Sequence, residues 1–374
     1  MSIHLSKRLV RLLGVWVAVI ITCCPALARA DDNEFYGPLR SRDMSPFGFL
    51  RLDMRPAHAI RLEKGSWAVE FELGYQNTWA LSSGVQNYLE GLESAGRRKL
   101  GPAELEAIRN LPGENYLLDL ESATLDATLH YQFDDDWSAY LIAGAVSYQG
   151  GFLDGLIENF HTAVGDSSFG RPAVRRNDVN YIFDLKSAQV ARLGAPTRGG
   201  YTDPVLGLRY SGFRMPLGWA LSVEAAVKVP VGTRSSLLST GHVDYGLQAS
   251  LQRRSGRHAL YVDAAAVYYG GGDFPVPQDA QVIPTLIIGY EQRLTDTTNV
   301  NLQAYVSKSV YSSRQTDLYE LTGAKYQYSL GLHHRMNRLL FSVGITENVQ
   351  NLNNTPDIGL QLGLMYIPRP LRNS

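Results

Sequence analysis

Over most of its length the chain alternates apolar and polar residues one by one, a period of two that a helix cannot use and that a strand with two unlike faces requires. Residues 67 to 79 set Trp67, Val69, Phe71, Leu73, Tyr75 and Trp79 on one parity against Glu70, Glu72, Gln76 and Thr78 on the other. Residues 219 to 229, 243 to 252, 300 to 307, 324 to 335 and 358 to 366 repeat the scheme. Soluble sandwich strands alternate too, but they average about five or six residues, whereas a strand that crosses a bilayer needs about 9–11. The stretches here reach 9 to 13 residues. Trp67 and Trp79 lie twelve residues apart, about 40 Å along a strand and about 28 Å vertically once it is tilted. That spacing predicts that both belong to the aromatic girdles of a membrane barrel.

Twelve strands are expected, at about 66–79, 121–133, 137–149, 202–214, 218–230, 241–253, 258–269, 282–294, 298–310, 323–335, 339–348 and 357–367. Pro284 disfavours central ladder pairing, which leaves the count within two of twelve. Every second connection is short, as at Asp134-Asp135-Asp136, Arg254-Ser255-Gly256-Arg257 and Met336-Asn337-Arg338, while those at 80–120 and 150–201 are long. An even strand count with short turns on one side and long loops on the other is the layout of an outer-membrane barrel, with the loops outside. The fold class expected is therefore all-β, an antiparallel transmembrane β-barrel of about twelve strands whose long extracellular loops contain short helices.

The ends read differently. Residues 1–30 carry Lys7, Arg8 and Arg11, an apolar run from Leu12 to Cys24, and Ala28-Arg29-Ala30. This is the pattern of a secretory signal, with cleavage expected before Asp31. Both cysteines, Cys23 and Cys24, lie inside it, so the mature chain is expected to contain no disulfide and no thiolate ligand. Removing the signal takes away four basic residues and no acidic one, which moves the net charge from −1 to −5 and excludes nucleic acid as a partner. Residues 31–65 show no period and are expected either as a periplasmic tail or as a plug in the lumen. Residues 66–367 are expected to form the barrel and 368–374 a short tail.

At Gly37-Pro38-Leu39-Arg40-Ser41-Arg42-Asp43 with Pro46, at Gly65-Ser66-Trp67-Ala68-Val69-Glu70, and most specifically at Gly150-Gly151-Phe152-Leu153-Asp154-Gly155-Leu156-Ile157-Glu158-Asn159-Phe160-His161, the sequence resembles domain of unknown function family 3187. The likeness runs through most of the mature chain. It implies a Gram-negative outer-membrane barrel and implies no activity. Barrel assembly usually reads a terminal aromatic residue; here Tyr366 is followed by Pro368 and Pro370, so a signal for the barrel-assembly machinery is expected internally, between Gln361 and Tyr366.

Two sets of residues carry candidate chemistry. Inside the long third connection, Leu153, Ile157, Phe160 and Val164 recur at helical spacing, and Asp154, Glu158 and His161 form a polar stripe beside them. Two carboxylates and an imidazole on one helical face can bind a divalent cation or serve as general acid and base. No fourth ligand is visible, so the stripe is expected to hydrogen-bond lumen arginines while the apolar stripe packs on the barrel rim, with no metal and no cofactor. The second set is the lumen face, expected to hold Glu70, Glu72, Asp126, His130, Arg209, Glu224, Lys228, Asp244, Asp263, Glu291, Arg293, Lys325, His333 and Arg335. Both signs occur, so the wall is not a simple ion-selective ring. The function expected is passage of a small polar or charged solute, with outer-membrane lipids and lipopolysaccharide as surroundings. A barrel enzyme acting on lipid and a structural or adhesive barrel with a plugged lumen are the alternatives.

Overall fold

In the computed structural model, residues 35–45, 48–57, 62–165, 167–186, 188–193, 197–232, 237–272, 276–348 and 352–368 are described. Residues 1–34, where the secretory signal is expected, and the tail beyond 368 lie outside them.

Twelve strands close into an antiparallel barrel: β1 (Trp67–Leu81), β2 (Asn115–Gln132), β3 (Trp137–Gln149), β7 (Val205–Arg214), β8 (Trp219–Lys228), β9 (Asp244–Ser255), β10 (His258–Tyr269), β11 (Gln281–Arg293), β12 (Thr298–Ser307), β13 (Lys325–Met336), β14 (Leu339–Glu347) and β15 (Ile358–Tyr366). Each pairs with its neighbour, and β15 returns to β1 in the register Val69↔Tyr366 to Asn77↔Ile358, so no edge is left open. Pro284 sits one residue past Thr285↔Ser307, the last pair of the β11–β12 ladder, and the carbonyl of Pro284 accepts from Lys308 N at 3.1 Å. Backbone N and O of one strand residue point to the same side, so the missing N–H falls just beyond the ladder and costs little.

The alternation sorts as a membrane demands. Phe71, Leu125, Leu208, Leu247, Leu286, Leu332, Val343 and Leu362 point outward and are 38–62% exposed, while Glu70, Asp126, Glu224, Asp244, Glu291 and Lys325 point inward at 5% or less. A soluble protein buries the first group and solvates the second. An apolar exterior around a polar interior defines a membrane-spanning barrel.

Three further strands, β4 (Asn180–Leu185), β5 (Ala188–Leu193) and β6 (Gly199–Tyr201), extend the sheet above the loop end of β2 and β3. They add strands to a third connection for which only helical structure was expected. Likewise β2 begins at Asn115, not near 121. At β4 and the start of β2 the two faces are covered: Leu118, Tyr181 and Phe183 face one apolar cluster and Leu117 and Ile182 another, so polar residues have no side to alternate on.

That second cluster overturns the girdle expectation for Trp79. Trp67 is 51% exposed, but Trp79 is 4% exposed, packed with Leu81, Val85, Leu89 and Leu117. Its Nε1 donates to the Phe169 carbonyl at 2.9 Å and its ring lies 5.0 Å from the Arg171 guanidinium. The covering layer comes from helix α1 (Ser83–Leu92), helix α2 (Pro102–Arg109) and residues 169–174. α2 starts at Pro102 with the Glu104 carboxylate reaching back to Gly101 N at 2.8 Å.

The described residues of 35–57 form no strand, and they run inside the barrel. Tyr36 packs with Leu62, Ala68, Leu340 and Met365 at the short-turn end. Phe49 joins the cluster at the long-loop end, and by Pro56 the chain has come back beside Arg40, whose guanidinium donates to the Pro56 carbonyl. The segment is thus a folded-back loop threaded up the lumen and down again. Asp43 N bonds the Asp53 carboxylate at 2.5 Å between its two legs.

Candidate functional site: the filled lumen

Strand parity alone places the wall groups, and the N-terminal loop supplies their partners. Glu291 accepts the backbone N–H of Tyr36 and of Gly37, both at 3.0 Å, the Tyr261 hydroxyl at 2.6 Å and Asn299 Nδ2 at 2.6 Å. Glu70 meets Arg40 Nε at 3.5 Å and His130 Nε2 at 3.2 Å. Asp126 holds two arginines of the loop, Arg55 at 2.6 Å and Arg42 at 3.3 Å. Lys325 Nζ lies 2.8 Å from Asp43 and donates to Ser45 Oγ at 2.6 Å. Lys228 pairs with Asp244 at 2.8 Å and donates to the Leu50 carbonyl at 2.9 Å, while Asp244 accepts Leu52 N at 2.8 Å. Arg51 bonds Asp53 at 2.9 Å and the Tyr305 hydroxyl at 2.6 Å. Charges this deep are tolerable only because each is paired and hydrogen-bonded.

Glycines on the lumen parity of the strands make room for the loop. A Cβ on Gly246 would stand 2.6 Å from Met54 and 2.9 Å from Leu52. On Gly331 it would meet Leu39 at 2.9 Å, and on Gly74 it would meet Met44 at 2.6 Å. The wall is recessed where the loop is bulky.

The other expected lumen residues take varied places. Arg209 pairs with Glu224 at 2.7 Å across the β7–β8 ladder. Asp263 is buried opposite Ser250, and His333 bonds Asn301 at 3.2 Å beneath the Tyr36 ring. Glu72 borders a small cavity with Glu70, Arg40 and His333. Arg293 is half-buried at the end of β11. Arg335 departs from the expectation: it lies at the turn end and donates to the Asn337 carbonyl at 3.1 Å, so it borders the mouth and does not join the interior network. The sequence reading passed over Arg40, Arg42, Asp43, Arg51, Asp53 and Arg55. Four arginines and two aspartates within sixteen aperiodic residues, together with glycines interrupting the polar parity, were the available signal.

At the long-loop end the interior turns apolar. Tyr116, Leu118, Leu120, Val146, Tyr148, Tyr181, Phe183, Leu237, Ile283, Val310, Tyr311 and Leu321 form one buried cluster above Phe49. Phe49 and Tyr148 meet edge to face at 6.2 Å.

Helix α3 (Asp154–Val164) stands outside the barrel and ends at Gly165, whose φ of 72° is the left-handed conformation of a helix C-cap. Asp154 receives Arg171 at 2.8 Å, Asn77 Nδ2 at 3.1 Å and Asn177 N at 2.8 Å. Glu158 is bonded by Arg97 at 2.5 Å and by Arg176 Nε at 2.9 Å. Burial pushes the Glu158 carboxyl up, but the bonds and charges of Arg176 and Arg97 outweigh it and hold it below the usual carboxylate range. His161 faces Phe169 edge-on at 5.9 Å. The carboxylates are therefore spent on loop arginines, not on lumen arginines as expected, and no metal-ligand cluster occurs among the described residues. The apolar stripe is also corrected: Leu153 and Ile157 are buried, but Phe160 is 60% exposed.

Fold and interior together define a membrane-spanning antiparallel barrel with a filled lumen. Residues 110–367 match the model of the family described as protein of unknown function (DUF3187), and the chain belongs to that family. No curated protein matches the sequence. Among solved structures it is similar to the COG4313 outer membrane channel from Pseudomonas putida F1, at 10% identity over 82% of this chain and 97% of that one, with a TM-score of 0.49. It is also similar to the NanC porin, at 6% identity over 80% and 98% with a TM-score of 0.42. The P. putida toluene transporter TodX follows at 8% identity over 83% and 91%, with a TM-score of 0.37.

Proposed function

We propose that the protein is an outer-membrane channel for a small polar or charged solute, closed at rest by its own N-terminal loop. The observation that carries this reading is the way the loop is held. Among the described residues of 35–57 none shares a ladder with a barrel strand, and the contacts that cross to the wall run through side chains such as Glu291, Asp126, Asp244 and Lys325. An insert held only by side chains can leave as a unit without breaking the barrel, whereas a strand sharing a ladder cannot. Once it leaves, the wall it uncovers presents Glu70, Asp126, Asp244 and Glu291 against Lys228 and Lys325. Such a wall attracts water and favours cations over anions.

Planar-bilayer recording tests the proposal. The intact chain is expected to stay closed with rare openings, and a variant lacking residues 36–56 to conduct steadily with a preference for cations. A deletion variant that folds, inserts and passes no current overturns it. The second reading is a permanently stoppered structural barrel, favoured by the apolar cluster across the long-loop end; it requires that silent outcome.

A further inference from the structure

The outer face of β1 stops short of a full membrane. Its exposed side chains run from Trp67 through Phe71 and Leu73 to the half-exposed Tyr75, after which Asn77 and Trp79 are covered. Eight residues span about 26 Å along the strand and about 20 Å vertically at the usual tilt, against an apolar band of about 25 Å. Helix α3 sits where the band gives out. Its entry is fixed by Glu121, which accepts Phe152 N at 3.0 Å and Leu153 N at 2.6 Å, and by Asn77, which donates to Asp154. Phe152 stacks on Tyr75 with ring centroids 5.2 Å apart, so the helix continues the apolar wall without a break.

The helix is divided lengthwise. Its inner face buries Leu153, Asp154, Ile157 and Glu158, and its outer ridge carries Phe152, Leu156 and Phe160, which are 68%, 61% and 60% exposed. Asn159 and Ala163 share the exposed side, and no charged residue does. By contrast α2, which also lies over the barrel end, exposes Glu106 and ends on the exposed Arg109. One loop helix is dressed for water and the other is not.

We infer that α3 is an interfacial helix, lying on the leaflet at the long-loop side with Phe152, Leu156 and Phe160 sunk among the acyl chains. The occupant of this face is bilayer lipid, argued from its continuity with the lipid-facing wall at Tyr75 and from the lack of charge on the ridge. The inference rests on the membrane-spanning reading above. It assigns to the loop a contact that fixes how deep the barrel rides and holds the third connection against the membrane surface.

Site-directed spin labelling in phosphatidylcholine vesicles tests it, in a chain with Cys23 and Cys24 replaced by serine. Labels at Leu156→Cys and at the milder Ala163→Cys are compared with Leu73→Cys in the lipid-facing wall and Glu106→Cys in water. Accessibility to oxygen relative to a soluble nickel chelate is expected to be several-fold higher at 156 and 163 than at 106, approaching the value at 73. Values at 156 and 163 equal to that at 106, with 73 still lipid-exposed, overturn the helix assignment alone. A water-like value at 73 overturns the membrane reading itself.

Discussion

The two ends of the barrel interior are closed by opposite chemistry. Over the short-turn end and the middle, the space is filled by a loop whose arginines and aspartates meet wall charges, as in Arg55 with Asp126 and Asp43 with Lys325. At the long-loop end, rings and branched side chains from β2, β3, β4 and the later loops pack against one another, joined among the described residues of the N-terminal loop by Phe49 and Leu50. The apolar closure is made mostly by the barrel's own strands, so it belongs to the folding of the barrel. The polar closure is made by a segment with no backbone tie to the sheet, so its stability is separable. A barrel that is to be sealed by default and opened on demand needs a removable part, and only the polar closure qualifies; in the proposed channel Phe49 and Leu50 leave with it, so the apolar cluster lines the opened passage and does not seal it.

Lys325→Met should separate them most clearly. It leaves Asp43 and Ser45 without the ammonium that both use, and breaking a buried pair from one side costs about 3–5 kcal/mol. Hydrogen exchange of residues 40–56 should accelerate and bilayer openings become frequent, while the barrel ladder stays protected. Unchanged exchange in the loop would mean that the ion pairs do not seat it. Next in size is Leu118→Ala in the apolar closure, about 2–5 kcal/mol for a large-to-small change in a packed cluster. This loss should appear in the thermal stability of the whole barrel and leave the loop's exchange alone. A rise confined to residues 40–56 would show that the closures are coupled through Phe49, contrary to their proposed independence.

The difference between the regions also explains what could be read beforehand. Alternation marks a strand only where one face meets lipid and the other a polar interior, so β8, β10 and β13 were legible to within two residues at each end. Asn180–Leu185 and the first turns of β2 lie between two apolar clusters and carry no period. Trp79 shares parity with Trp67, yet its fate is decided by loop residues such as Arg171 and Phe169 that parity cannot reveal. The N-terminal loop was the least legible part because its partners are more than 180 residues away in most contacts, as with Leu52 and Asp244. The lumen glycines were a legible trace of it. Gly74, Gly246 and Gly331 occupy positions where the pattern calls for a polar side chain, and each faces the loop.

Those glycines provide a smaller and more local test. Gly246→Leu forces side-chain atoms into the space of Met54 and Leu52, and overpacking of this kind costs about 1–3 kcal/mol. The loop should yield before the barrel, so the variant should raise open probability with little change in thermal stability. If the barrel destabilises and stays shut, the recess belongs to strand packing and not to the loop.

The smallest effect concerns pH and lies outside the lumen. Glu158 is held below its ordinary range by Arg176 and Arg97. A group with a depressed folded value contributes stability that is complete above its unfolded value and is lost as pH falls through the folded one. The clamp between α3 and the arginines should therefore be intact at neutral pH and loosen only under acid conditions, below the normal titration of a glutamate. Both arginines are partly exposed, with side chains 32% and 46% accessible, so the effect should not exceed about 1 kcal/mol. Hydrogen exchange of residues 154–164 against pH measures it, and Glu158→Gln should abolish the acid-dependent part. Because this clamp touches neither closure, the open probability of the channel should not follow the same acid titration. A shared titration would tie the outer helix to the gate and undo the separation between a sheet-built seal and a removable one.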